Sequence, residues 1–205
     1  MKTIDILTTN NERLDKQLYF IAEVDKIKLI LRQTLLTDGS RRENDAEHSW
    51  HLALMASILE EHSAQPIQSN RVLKMVIFHD LVEIYAGDTF AFDVEANKGK
   101  EKREAEAADK LFSLLPSNQE KEYRLLWEEF DRMDTPDSQF AASLDRIQPF
   151  LHNTLTSGHT WIKGSAKKSQ VLERMSIVKK GIPSLWDWVE KNIEEGIKQG
   201  WITNI

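Results

Sequence analysis

Apolar positions along this chain recur at three- and four-residue spacings, and alternation is weak, so the pattern predicts helices rather than strands. Leu18, Ile21, Ala22 and Val24 lead into "DKIKLILRQTLL", which predicts a first helix over about 11–35. "TDGSRREND" is rich in turn formers and reads as a loop. A second helix is expected over about 45–62, with Pro66 as the stop. A third is expected over about 69–85, with Ser69 or Asn70 as its cap. "AGDTFAFDVEANKG" is a longer loop opened by Gly87. "KEKREAEAADKLFSLL" is an amphipathic helix ended by Pro116, and further helices follow over about 117–133 and 136–156. "TSGHTWIKGS" reads as a loop. A last pair, about 165–180 and 184–199, is divided by "GIP", where Gly181 suits a helix stop and Pro183 an early helical position. With no repeat and no linker, the expected fold class is all-α, a compact single-domain helical bundle.

Composition narrows the chemistry. The chain has 205 residues, 40% apolar and 29% charged, enough for one domain with a real core. A net charge of −6 argues against a nucleic-acid polymer as partner but leaves small phosphorylated ligands open. The absence of cysteine excludes disulfides and thiolate metal sites, so a metal here must use His and carboxylates. The apolar runs fall short of a membrane span, and "MKTIDILTTNNERLDK" lacks the character of a signal peptide. The expected location is cytoplasmic.

Against that background "VLKMVIFHDLVEIYAGD", residues 72–88, is unusual, because His79, Asp80, Glu83 and Asp88 close an almost unbroken apolar run. Ionisable groups are costly to bury alone. At about 100° per residue, His48 shares a stripe with Leu52, Met55 and Leu59. Val72, Val76, His79 and Glu83 share another, with Asp80 beside it. Ala141, Leu144, Asp145, Gln148 and His152 lie along one side of a third helix. Three helices thus send ionisable groups inward, and a cation offsets the desolvation of several at once. His48, His79, Asp80 and Asp145 would make a mixed nitrogen and oxygen site suited to Mn, Fe, Co, Zn or Mg, which Asp88 and Thr89 could close from the loop. Each residue also has a plainer reading: a hydrogen-bonded core His48, an ion-paired Asp80, an exposed Glu83, a turn-forming Asp88 or a surface Asp145. His51 and His152 suit packing or support, and His62 and His159 the surface. Trp186, Trp188 and Trp201 suit core or interface packing.

"EHSWHLALMA", "FHDLVEIYAGD" and "SLDRIQPF" together resemble the HD-domain metal-dependent phosphohydrolases, in the branch of the bacterial 5′-deoxynucleotidases and HD-domain-containing protein 2. The resemblance covers about 32–150 and implies one HD domain over 1–205, with the helices of 165–199 packed on that core. It implies His48, His79, Asp80 and Asp145 as ligands of a divalent metal, and Glu83 as the acid–base partner of the attacking water. Asp88 and Thr89 match a segment beside metal and phosphate. Arg32 matches an arginine near the end of the first helix that contacts the phosphate. The family is often homodimeric. Where the deoxynucleotidases carry a tryptophan soon after that arginine, this chain has Gln33, Thr34 and Leu35, which leaves the sugar preference open. Arg41 and Arg42 offer further phosphate contacts.

The expected activity is removal of phosphate from a small phosphomonoester, foremost a (deoxy)nucleoside 5′-monophosphate, with Glu83 or Asp88 moving the proton of a metal-activated water. The alternatives are a guanosine tetraphosphate-type pyrophosphohydrolase, disfavoured by Ile84 where those enzymes commonly carry Asp, and a metal-stabilised nucleotide-binding protein without turnover.

Overall fold

The computed structural model describes residues 7–205, so the first part of the stretch read above as no leader, residues 1–6, lies outside the described residues. Helix α1 (Glu12–Val24) starts at Asn11, whose side chain accepts from the N–H groups of Arg13 and Leu14. It does not run on to 35. A 3₁₀ turn (Asp25–Leu29) follows, then strand β1 (Leu31–Leu35) pairs antiparallel with β2 (Arg42–Asn44). Leu31 faces Asn44 and Leu35 faces Arg42, and the turn between them uses Gly39 at φ +73°. "DKIKLILRQTLL" carries apolar residues at both helical and strand spacings. The backbone partners supplied by the returning segment decide the matter: Leu36 donates to Arg41 at 2.9 Å and Asp45 to Ile30 at 3.1 Å. Arg32 therefore stands on a strand, not near the end of a helix.

Helix α2 (Asp45–Leu59) is fixed by a reciprocal cap: the Asn44 side chain accepts from the Glu47 N–H at 2.9 Å, and Glu47 accepts from the Asn44 N–H at 3.1 Å. A 3₁₀ turn (Glu60–His62) ends it. Helix α3 (Ser69–Phe78) is preceded by Gln68, which gives its N–H to Asp137 at 2.8 Å, so neither Ser69 nor Asn70 is the cap. Nor does α3 continue to 85. His79 still bonds Met75, but the next bonds tighten to i→i+3, from Leu81 to Phe78 and from Glu83 to Asp80, before the short helix α4 (Glu83–Ala86).

The long loop expected after Gly87 contains α5 (Val94–Asn97), followed by α6 (Lys100–Phe112), α7 (Ser117–Arg132) and α8 (Pro136–Leu155). Thr135 caps α8 and Pro136 occupies its first turn. Then come α9 (His159–Lys163), within the expected "TSGHTWIKGS" loop, α10 (Lys168–Met175), α11 (Val178–Gly181), a 3₁₀ turn (Pro183–Leu185) and α12 (Trp186–Lys198). Gly181 closes α11 for a reason beyond stopping a helix. A Cβ there would sit 2.3 Å from Ser143 Oγ and 2.4 Å from the Gln139 carbonyl oxygen, so only glycine allows α11 to lie against α8.

Among the described residues the fold is all-α apart from the β1–β2 pair. Two apolar clusters hold it together. The larger joins Leu52, Val76, Phe140 and Leu144 to Val178, Val189 and Ile193 of the C-terminal helices, with Trp186, Trp188 and Trp201 packed against it. The smaller joins Phe20 and Ile27 to Leu81, Val82, Leu111 and Phe112. Each fully buried Leu, Val or Phe contributes about 1.5–3 kcal/mol over its exposed state. Val76 belongs to the first cluster and Leu81 to the second, so His79 and Asp80 fall at the seam between them. No helix among the described residues is long and apolar enough to cross a membrane.

Candidate metal centre and active site

Four side chains from three parts of the fold meet at this seam. His48 comes from the first turns of α2, His79 and Asp80 from the tightened turn after α3, and Asp145 from the middle of α8. His48 Nε2 lies 2.9 Å from Asp145 Oδ1 and 3.8 Å from Asp80 Oδ2. His79 Nε2 lies 3.0 Å from Asp80 Oδ2 and 3.6 Å from Asp145 Oδ1. The four donor atoms close a ring. A cation at about 2.1 Å from each of several N and O donors sets neighbouring donors about 3.0–3.4 Å apart, so this ring is of the right size.

The hydrogen bonds around the ring agree. His79 Nδ1 faces the Val76 carbonyl at 2.9 Å, and His48 Nδ1 faces Gln148 Oε1 at 3.0 Å. Each imidazole thus gives its Nδ1 hydrogen away from the ring and turns its Nε2 inward, which leaves the Nε2 of a neutral ring free to act as a ligand. Burial, reinforced by Arg32, presses His48 down to about 4, so it is neutral near pH 7 and its 2.9 Å contact with Asp145 joins two acceptors. Burial opposes charge on His79 as well, but Asp80 and Asp145 together lift it to about 10. Burial would raise Asp80, yet His79 and Arg32 hold it well below the usual carboxylate range. Asp145 is held low by Arg146 and the two imidazoles. Asp45 Oδ2 and Glu83 Oε2 are buried with no hydrogen-bond partner. Such a set, rich in acceptors and short of donors, fits a divalent cation.

A second acidic group adjoins the first. Asp45, Asp80 and Glu83 can also bring oxygens within 4.8 Å of one another. Burial and the charge of Asp80 push Asp45 up to about 7, and burial with Asp80, Asp45 and Asp88 raises Glu83 well above its ordinary range. Arg32 balances them, donating to Asp80 at 2.6 Å and to Asp45 at 3.3 Å. Asp88, raised by burial, and Thr89 follow Gly87, at φ +76°. They line a cavity of about 150 Å³ together with Arg32, Lys100, Arg146 and Arg174. The expected site residues thus all lie at this centre or on the wall of the adjoining cavity. Arg41 and Arg42 do not: Arg41 pairs with Glu47, and Arg42 donates to the carbonyls of Arg32 and Leu31, bracing the β pair.

Sequence reasoning passed over Asp45, Glu43 and the part played by Gln148. Gln148 Nε2 donates to Glu43 at 2.6 Å and lies 3.4 Å from His51 and 3.2 Å from His152, while His152 Nδ1 faces the Leu35 carbonyl at 2.9 Å. Glu43, His51 and His152 could reach a common ion, but the amide nitrogen already occupies the space between them, which makes this cluster a support for His48. The available signal was position. Gln148 shares a stripe with Asp145, and Asp45 stands one turn before His48.

Residues 24–186 match the sequence profile described as HD domain, and the chain belongs to that family. Its fold follows, over 96% of this chain and 98% of the other, that of a predicted metal-dependent phosphohydrolase from Magnetospirillum magnetotacticum, with a TM-score of 0.89 and 44% identity. It is 25% identical over 152 residues to the human (Homo sapiens) 5′-deoxynucleotidase HDDC2, spanning 74% of this chain and 73% of that protein. With the 5′-deoxynucleotidase hdd1 of Schizosaccharomyces pombe it shares 22% identity over 191 residues, 91% of this chain and 86% of its relative.

Proposed function

We propose that this protein is a metal-dependent phosphohydrolase that removes phosphate from a small phosphomonoester, foremost a (deoxy)nucleoside 5′-monophosphate. The observation that carries the proposal is the ring of two imidazole Nε2 atoms and two carboxylate oxygens, spaced 2.9–3.8 Å apart, with the Arg32 guanidinium beside it. The resemblance to 5′-deoxynucleotidases supports the choice of ester.

His48, His79, Asp80 and Asp145 would hold the divalent ion. When bound, the ion supplies a Lewis acid that lowers the pKa of water toward neutrality. Ionised Glu83 would take the proton of the attacking water, with Asp88 as relay. Arg32 turns its forked donors from Asp80 toward the phosphate, where Thr89 adds a hydroxyl.

The same reading takes the chain as one functional domain in the cytoplasm, working as a homodimer. The outer face of α2 supports association, because Trp50, Leu54 and Ile58 are 67%, 44% and 61% exposed at four-residue spacing. Sedimentation would show a single species of twice the chain mass.

The direct test measures orthophosphate and pyrophosphate release from a panel of ribo- and deoxynucleotides with Mn, Co, Zn or Mg, alongside metal content. Orthophosphate from 5′-monophosphates is expected, lost in Asp80→Asn with helicity retained. Full activity in that variant, or metal-independent turnover, would refute the reading.

A further inference from the structure

Arg174 differs from the other arginines of the cavity. Arg32 donates to Asp80 and Asp45, and Arg146 pairs with Asp145. Among the described residues, no hydrogen bond or ion pair ends on the guanidinium of Arg174. The residue is half-buried on α10 between turns anchored by Val171 and Met175, both 2% exposed. Burial, then the charge of Arg146, lowers its pKa to about 9, so it remains a cation at neutral pH. It lines the cavity beside Arg32 and Thr89. With Arg146 it also lines an adjoining cleft, together with Arg132, Lys180 and Glu173. A guanidinium partly stripped of water, facing a like charge and lacking an acceptor, is an unfavourable arrangement in the free protein. An anion placed between the two guanidinium groups removes the penalty, and their fork geometry suits phosphate or carboxylate.

We propose that Arg174, with Arg146, forms a second anion subsite beside the metal centre, so that the substrate carries a second phosphate or a carboxylate besides the phosphate that is cleaved. The proposal rests on the phosphohydrolase reading and sharpens its substrate class. Arg32 and Thr89 already serve the reacting phosphate in that reading, and Arg174 lies on the wall shared with the outer cleft. A guanidinium that merely covers apolar surface with its stem would serve no particular ligand.

The test uses the metal-loaded full chain and two pairs of probes. One pair is 2′-deoxyadenosine 5′-monophosphate and 2′-deoxyadenosine 3′,5′-bisphosphate. The other is 2′-deoxyuridine 5′-monophosphate and its 5-carboxy derivative, which separates carboxylate from phosphate as the second anion. The wild-type protein is expected to favour at least one doubly anionic probe by about tenfold in kcat/KM over its parent, through KM. Arg174→Ala should raise KM for that probe about tenfold and for the parent less than about threefold, and Arg174→Lys should recover part of the difference. Absence of preference in the wild type, or equal losses on parent and probe in Arg174→Ala, would overturn the subsite. If no ester yields orthophosphate, the phosphohydrolase reading fails, and calorimetric titration with the bisphosphate and with the 5-carboxy derivative still reads the subsite. Binding about tenfold weaker in a folded Arg174→Ala protein supports it, and equal binding overturns it.

Discussion

Gln148 accepts the Nδ1 hydrogen of His48 at 3.0 Å with its oxygen and donates to Glu43 at 2.6 Å with its nitrogen. The carboxylate thereby fixes which way the amide points, and the amide fixes which imidazole nitrogen is bare. Gln148→Leu keeps most of the volume and removes both functions. Affinity for Mn or Co should fall about 10–100-fold, as is usual when the partner of a metal-binding histidine is lost. The metal-free protein should lose about 1–3 kcal/mol because Glu43 is left buried without its donor. Competition with a chelating dye and urea unfolding measure the two effects. Unchanged metal affinity would show that His48 needs no such support.

Much of this arrangement was legible in the sequence, because a helix repeats on a fixed angle. The stripe of His48 with Leu52 and Met55, and that of Asp145 with Leu144 and Gln148, could be read from spacing alone, and these residues are buried together. Local spacing failed where the outcome depends on distant partners. Leu31–Leu35 carries apolar residues compatible with a helix, and only the return of Arg42–Asn44 makes it a strand. The break after Phe78 has no Gly or Pro to mark it, since Gly87 comes well after the turn has tightened. Gln148 and Asp45 were harder to assign because their roles lie in what they touch across the fold.

Arg32 stands in the metal-free protein as a positive charge against both Asp45 and Asp80, with Glu43 3.8 Å from its Nε. Removing one partner of a buried ion pair costs about 3–5 kcal/mol because the other is left uncompensated. Arg32→Ala should therefore lower the melting temperature most in the presence of a chelator. Saturating Mn should restore part of the loss, because a divalent ion offers the same carboxylates another positive charge. Thermal unfolding of both proteins with EDTA and with Mn makes the comparison. An equal loss in the two conditions would mean that Arg32 and the metal do not share these partners.

Gly181 lets α11 lie on α8, with Ser143 Oγ bonded to the Gln139 carbonyl at 2.7 Å and the Ile177 carbonyl at 3.1 Å just beneath it. A methyl group there meets both Ser143 and the backbone of Gln139, and the backbone cannot turn aside. Gly181→Ala should cost about 1–3 kcal/mol through overpacking, despite alanine's better helix propensity. Ser176→Ala, on the exposed side of the preceding turn, should stay within about 0.5 kcal/mol. Urea midpoints of the two variants test the contrast.

Glu129 ties α7 to α3, taking both terminal nitrogens of Arg71, one at 2.5 Å, and the Thr135 hydroxyl at 2.6 Å. The Arg71 hydrogen bonds lower its pKa below the ordinary 4.5, with burial opposing and Thr135 assisting. The folded state thus binds this proton less readily than the unfolded chain. The resulting stability is complete above about pH 4.5 and disappears as pH falls through the lower folded value. Glu129→Gln keeps the shape and discards the charge. Because Arg71 is partly exposed, the expected loss at pH 7 is modest, about 1 kcal/mol. The gap from wild type should narrow as the pH is taken down below about 4.5 and the wild-type carboxylate takes up its proton. Urea unfolding of both proteins across that range measures it, and a gap independent of pH would place the contribution of Glu129 in packing rather than charge.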